Sequence, residues 1–182
     1  MAPIWIRKHR EMVPAVFLLV LRLSSAKSND GPLSGTNAYQ DEAQRASDME
    51  LVKEILERKR STIERGIKLA VILLCDRQLL DDPSLDTRLS LIRRQSGLDS
   101  RASLFVISPV PESEVVHFVA SLKTELYPAA LDYLREHGRR VRRKRARAAP
   151  KSALSDKGWN VRYDYKMAFF AEMRNEIEVS LK

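Results

Sequence analysis

The sequence predicts an α/β layer of three mostly parallel strands with crossover helices, followed by long antiparallel helices. Three apolar runs predict the strands, and the segments between them contain stretches with helical spacing. From Glu112 onward two long stretches with helical spacing follow one another with no strand between them. An apolar fraction of 44% in 182 residues is enough for a core. We therefore predict a partial α/β layer over residues 1–110 and a helical hairpin over residues 111–182.

The first apolar run, VPAVFLLVLRLSSA at Val13–Ala26, has two interpretations. A basic start, an apolar run and a small-residue end are also the parts of a secretory signal peptide. A buried strand is favoured because Cys75 is the only cysteine, which fits a reducing compartment, and because Glu11 and Arg22 border the run. A similar apolar run also recurs downstream without a basic leader. We predict a strand here, with SSAKS as loop rather than a cleavage site.

The next segment predicts a mobile loop and then a helix. Residues 24–46 are rich in Ser, Gly, Asn and Asp, which is typical of loops. Ser47 to Glu50 has the S-x-x-E form of a capping box, and apolar residues recur after it on one helical face. We predict a helix from about Asp48 to Arg65, ended by Gly66.

Two further strands and one helix follow. IKLAVILLC at Ile67–Cys75 is a continuous apolar run, as expected for an interior strand of a parallel sheet. Asp82 before Pro83 predicts the start of a helix that ends at Gly97. ASLFVISP at 102–109 predicts the third strand, and right-handed crossovers are expected between the strands.

Two apolar stripes predict the helical hairpin. The first runs from Val115 to Leu134, where Pro128 is expected to kink or split the helix. The second runs from Tyr163 to Leu181 and shows no recognisable stop before Lys182. The missing stop predicts that the chain is a piece of a longer protein. Because Phe169 and Phe170 lie about 100° apart on a helix, one is expected to pack inward and the other to contact a further layer.

No motif in the sequence predicts catalysis. The dinucleotide fingerprint and the P-loop are both absent from it. Asp76, Asp81 and Asp82 follow the second strand, and they suggest either a phosphoacceptor or magnesium site or a solvated turn in which Asp82 caps a helix. The turn is favoured because no partner acid or lysine recurs after the other strands. Cys75 is expected to be a buried structural thiol rather than a nucleophile. We predict no enzyme activity, cofactor, metal or small-molecule substrate.

The net charge of +8 is concentrated in the predicted connecting segment 138–158. Eight basic residues and no acid lie between His137 and Asp156: Arg139, Arg140, Arg142, Arg143, Lys144, Arg145, Arg147 and Lys151. The interpretations are a nuclear localisation signal, a nucleic-acid arm, a contact with an acidic membrane or protein surface through residues 139–147, or a solvated extension kept open by like charges. Specific nucleic-acid recognition is not expected, because no aromatic residue lies between Tyr133 and Trp159.

The end of the chain carries a resemblance. VRYDYKMAFFAEMRNEIEVSLK at Val161–Lys182 resembles the signature of the foie gras family, the eleventh subunit of the trafficking protein particle (TRAPP) complex. The signature phrase K-x-A-F-F-x-E is matched by Lys166, Ala168, Phe169, Phe170 and Glu172. Earlier segments resemble the family in the same order: WIRKHREMVPAVFLLV, IKLAVILLC, SLFVISP and YPAALDYLREHGRRVRRKR. ILLCDRQLLDDPSLDTRLSLIRRQSGLDSRASLFV is similar to the fungal form.

The resemblance implies a non-enzymatic scaffold subunit of a vesicle-tethering complex in endoplasmic reticulum to Golgi transport and in autophagy. It implies other TRAPP subunits as partners and a cytoplasmic location, peripheral to the endoplasmic reticulum–Golgi intermediate or Golgi membranes. It also implies that the helices after the third strand begin an α-solenoid. The alternative that the residues leave open is a nuclear or nucleic-acid-associated binding module using the basic run at 139–151.

Overall fold

The structure is a computed structural model that describes residues 3–25, 37–98, 103–109, 111–147 and 156–181. Its residues group into two compact units. We call Val16–Leu126 the sheet unit, and Met1–Ala15 together with Tyr127–Lys182 the helical unit. The predicted division into domains 1–110 and 111–182 stays a prediction, because a compact unit need not fold independently.

The sheet unit contains three parallel strands in the order β1-β2-β3. They are β1 at Val16–Arg22, β2 at Lys68–Leu74 and β3 at Leu104–Ile107. Val16 lies opposite Lys68, and Val71 lies opposite Leu104. All five interior residues of β2 are buried, as an interior strand with both faces covered requires. The predicted parallel α/β layer is confirmed.

One face of the sheet packs against the crossover helices α2 at Asn37–Ile63, α3 at Arg77–Leu80 and α4 at Leu85–Ser96. Ile55 of α2 and Ile92 of α4 are fully buried in one aliphatic cluster with Leu73 of β2. Helices α2 and α4 thus cover the same face, as two crossovers of the same hand require.

The other face of the sheet packs against the first half of α5, which spans Glu112–Arg147. Leu122 and Leu126 of α5 are buried against Ala70 and Ile72 of β2. The alternation along β2 therefore sends neighbouring side chains into two separate clusters.

Helix α2 begins earlier than the sequence predicts. Residues 37–46 lie in this helix rather than in the predicted mobile loop, and residues 26–36 of that loop lie outside the described residues. Ser47 is therefore inside the helix, and the predicted capping box is wrong. Asp48 faces inward and accepts two hydrogen bonds from Arg88 of α4, from Nη2 at 2.7 Å and from Nε at 3.0 Å. An S-x-x-E spacing also arises by chance along the face of a helix, and here a partner 40 residues away decides what Asp48 does.

Three helices end in the same backbone motif. Gly66, Gly97 and Asn175 adopt left-handed φ values of 68°, 62° and 62°. The N–H of the residue after each donates to the carbonyl five positions back: Ile67 to Thr62, Leu98 to Arg93, and Glu176 to Ala171, each at 3.0 Å. The predicted stops at Gly66 and Gly97 are confirmed.

Asn175 overturns the prediction of an unbroken last helix. Helix α6 spans Asp156–Met173, and a short helix α7 at Ile177–Ser180 follows the turn. Asparagine is the residue other than glycine that most readily adopts this conformation.

Helix α5 overturns two further predictions. It continues through Pro128 to Arg147, so of the predicted kink or split at Pro128 the split is wrong and the kink stays a prediction. The basic residues from Arg139 to Arg147 are helical rather than an open extension, because arginine and lysine are good helix formers and Glu136 and Asp164 bind several of them. Lys151 lies outside the described residues.

The helical unit also contains α1 at Pro3–Arg7, which continues into a π-helical turn at Lys8–Met12. The predicted antiparallel pair is confirmed, because two contacts join α5 and α6 in opposite order. His137 meets Phe170 with ring centroids 5.6 Å apart, and Arg145 Nη1 lies 2.9 Å from Asp164 Oδ1. Among the described residues, no helix is both long and apolar enough to cross a membrane.

Candidate functional site

An aromatic cluster holds the helical unit together. The Trp5 ring of α1 contacts both Phe169 and Phe170 of α6, with centroids 5.2 and 5.7 Å apart. Phe169 is 4% exposed and Phe170 is 1% exposed. The expectation that these two residues face different layers is wrong, because the large indole ring of Trp5 reaches both of them.

Two histidines complete this cluster. His137 stacks on Phe170, and its ring lies 4.4 Å from Tyr133 and 5.3 Å from His9. Burial, followed by the nearby cations, lowers the pKa of His137 to about 4, and burial also lowers the pKa of His9. Tyr133 Oη and His9 Nδ1 are buried and make no hydrogen bond within the described residues. The packing of the cluster therefore favours the neutral form of both histidines.

The signature residues divide between packing and exposed positions. Lys166 Nζ lies 4.9 Å from the centroid of the Trp5 ring, and burial lowers the pKa of Lys166. Lys166, Phe169 and Phe170 thus contact the N-terminal helix, whereas Glu172 is exposed. A family role for these positions stays a prediction.

A groove runs along α5, α6 and α7 inside the helical unit; we call it the arginine groove. Its volume is about 520 Å³. Its floor is apolar, from Met167, Ala168, Ala171 and Val179. Its charged lining is Arg135, Arg139, Arg142, Arg145, Arg174 and Asp164. The four arginines of α5 lie on one face of the helix because they are three or four residues apart.

Several of these arginines are paired with acids. Arg145 binds Asp164, Arg174 binds Glu176 with Nη2–Oε2 at 2.6 Å, and Arg135 lies 3.2 Å from Asp132. These three ion pairs leave Arg139 and Arg142 as the source of excess positive charge in the groove.

The other face of α5 has its own acid. Glu136 Oε1 lies 2.7 Å from Arg143 Nη2 and 3.4 Å from Arg140 Nε. Arg139 reaches the same carboxylate only at 3.9 Å, and Arg142 has no ion-pair partner within the described residues. The basic run thus forms two surfaces. Arg140 and Arg143 bind Glu136, whereas Arg139, Arg142 and Arg145 line the groove. Lys144 and Arg147 are exposed beside them.

Among the described residues, the carboxyl edge of the sheet carries a buried cysteine and the turn at Asp82. Cys75 is 2% exposed, and burial, followed by Asp76, raises the pKa of its thiol. Asp82 Oδ1 accepts a hydrogen bond from the Ser84 N–H at 2.8 Å, within the turn that precedes α4. Helix α4 begins at Leu85 and its N-cap residue is Ser84, so the predicted helix start at Asp82 is wrong. Within the described residues, no group of three or more His, Cys, Asp or Glu could hold a metal ion.

Comparison with known proteins identifies the family of the chain. Residues 1–115 match the family model described as the trafficking protein particle complex subunit 11 N-terminal domain. No curated protein matches the chain. The match covers 115 of 182 residues, including all three strands. The signature at 161–182 lies outside it. The chain belongs to the family of trafficking protein particle complex subunit 11 N-terminal domains.

Proposed function

We propose that the chain is part of a non-enzymatic scaffold subunit of a vesicle-tethering complex in endoplasmic reticulum to Golgi transport and in autophagy. The family match over residues 1–115 carries this proposal. The protein acts by protein–protein contact with other subunits of the complex. It works in the cytoplasm, at the periphery of the endoplasmic reticulum–Golgi intermediate or the Golgi membranes. Its helices begin an α-solenoid.

The surface supports a role in protein contacts. Leu18 and Val20 on β1 are about half exposed, at 44% and 53%. On α7 and the turn after it, Ile177 is 58% exposed and Leu181 is 82% exposed. Contiguous exposed apolar patches mark interaction surfaces.

The test is capture of purified TRAPP core subunits by the tagged full-length protein. We expect reproducible, stoichiometric capture. The variant Leu73→Asp, which puts a charge in the core of the sheet unit, should lose it, and Ser90→Asp on an exposed position of α4 should keep it. Reproducible absence of the core subunits with the unmodified protein would overturn the proposal.

The alternative, a nucleic-acid-associated module using residues 139–151, predicts a different measurement. A dedicated nucleic-acid arm should shift RNA or DNA in a gel with a steep dependence on salt. A scaffold should show no shift at physiological ionic strength.

A further inference from the structure

We propose that the arginine groove binds a short acidic segment of a partner protein, in which acidic and apolar residues alternate. The inference rests on the proposed function, because it assigns a partner chemistry to one surface of a scaffold. It also divides the basic run into residues that bind and residues that do not.

The shape of the groove sets the length of the segment. The arginines of its rim run from Arg135 to Arg145 along α5. Ten residues of helix rise about 15 Å, which is the length of about five residues of extended chain. An extended segment sends alternate side chains to opposite sides. One set would contact the partly exposed Met167 and Ala168 of the floor, and the other would reach the rim.

The charge of the groove selects an acidic segment. Arg139 and Arg142 contribute charge that the ion pairs within the unit do not balance, as shown above. The side chain of Arg139 is 71% exposed, so its guanidinium can reach a carboxylate from outside. Guanidinium groups bind carboxylates with paired, charge-assisted hydrogen bonds.

Two other acidic partners fit the groove less well. A membrane surface would bind the exposed arginines through its headgroups and would not require the apolar lining of the groove. Single-stranded RNA is bound by stacking its bases on aromatic rings, and none of the described residues lining the groove is aromatic. A protein segment uses both the rim and the floor.

The test compares three fluorescent probes on the 182-residue chain by anisotropy at physiological salt. The probes are a peptide of alternating Glu and Leu, the same peptide with Ser in place of Leu, and a single-stranded RNA. Vesicles with about 20 mol% phosphatidylserine are tested by co-sedimentation. We expect the Glu–Leu peptide to bind, and the Glu–Ser peptide to bind about tenfold more weakly because it leaves the apolar floor uncovered.

Two matched double variants locate the binding. We expect the affinity for the Glu–Leu peptide to fall about tenfold in the variant Arg139→Gln/Arg142→Gln. It should change by about twofold or less in the variant Arg140→Gln/Arg143→Gln. Both pairs remove two charges from the same helix, so net charge and helix propensity are the same. Circular dichroism checks that both variants fold.

Three outcomes would overturn the proposal: no binding of the Glu–Leu peptide, equal weakening by both variant pairs, or tighter binding of RNA or vesicles. Failure of this test and failure of the proposed function remain distinguishable. If the core subunits are captured but the peptide does not bind, only the proposed role of the arginine groove is refuted. If the peptide binds but the core subunits are not captured, the proposed role of the arginine groove is supported and the tethering role is refuted.

Discussion

The sheet unit and the helical unit are stabilised by different kinds of contact. The core of the sheet unit is aliphatic, and its buried cation Arg88 is bound by Asp48 and the Ser24 carbonyl. The core of the helical unit is a set of aromatic and imidazole rings in which Tyr133 Oη makes no hydrogen bond within the described residues. A core that needs neutral histidines loses stability in mild acid. We therefore expect substitution of the ion pair to destabilise the sheet unit, and acid to destabilise the helical unit.

The largest effect is expected in the sheet unit. Arg88→Met leaves the carboxylate of Asp48, which is 2% exposed, without its cation. Breaking a buried pair by removing one partner costs about 3–5 kcal/mol of unfolding free energy. Urea unfolding followed by circular dichroism measures the loss, and hydrogen exchange should show it first in β2 and α4.

Two further variants check the cause of this loss. Arg88→Met/Asp48→Leu should recover most of it, because no unpaired charge stays buried. Arg94→Met, on an exposed position of the same helix, should stay within about 0.5 kcal/mol of the unmodified protein. A loss below about 1 kcal/mol for Arg88→Met alone would contradict the role assigned to the pair.

A smaller effect, confined to the helical unit, should appear with acid. The pKa of His137 is about 4 in the folded protein and 6.5 in the unfolded chain. Between these values the unfolded chain takes up a proton that the folded protein does not, so stability falls as the pH falls from 6.5 to about 4 and then levels off. We expect about 1–2 kcal/mol, after allowing for solvent around a partly exposed ring.

The variant His137→Phe keeps a ring in the cluster and should flatten this part of the pH profile. The remaining slope would report His9, which faces His137 together with Lys8, Arg140 and Glu136. His117→Phe, on an exposed position of α5, should leave the profile unchanged. Equal slopes for both variants would show that the cluster is not the source of the acid sensitivity.

The smallest expected effect is at the turn between α6 and α7. Asn175 has φ 62°, a conformation that costs other residues with a Cβ more than asparagine or glycine. Asn175→Ala should lose about 0.5–1 kcal/mol of stability, whereas Asn175→Gly should lose nothing. Thermal unfolding compares them, with Asn160→Ala on an exposed position of α6 as the control that should be neutral or slightly stabilising. Equal stability of the two Asn175 variants would refute the strain argument.

Part of this fold could be predicted from the sequence alone, for local reasons. β2 and β3 are continuous apolar runs, and α4 lies between a proline turn and Gly97, so each is specified by residues close to it. The stops at Gly66 and Gly97 follow from the one residue that adopts positive φ without strain. The family could also be recognised from short motifs that occur in the same order as in its members, and the match over residues 1–115 confirms the family.

Only the tertiary structure decided the rest, because it depends on partners far apart in the chain. Asp48 looks like a helix start until Arg88 is placed beside it, and Trp5 reaches Phe169 and Phe170 more than 160 positions away. The basic run reads as an open, self-repelling loop until Glu136 and Asp164 bind its arginines and the helix separates two faces. Local sequence sets the propensity of each segment, but the free energy that selects among conformations comes from contacts the linear order does not contain.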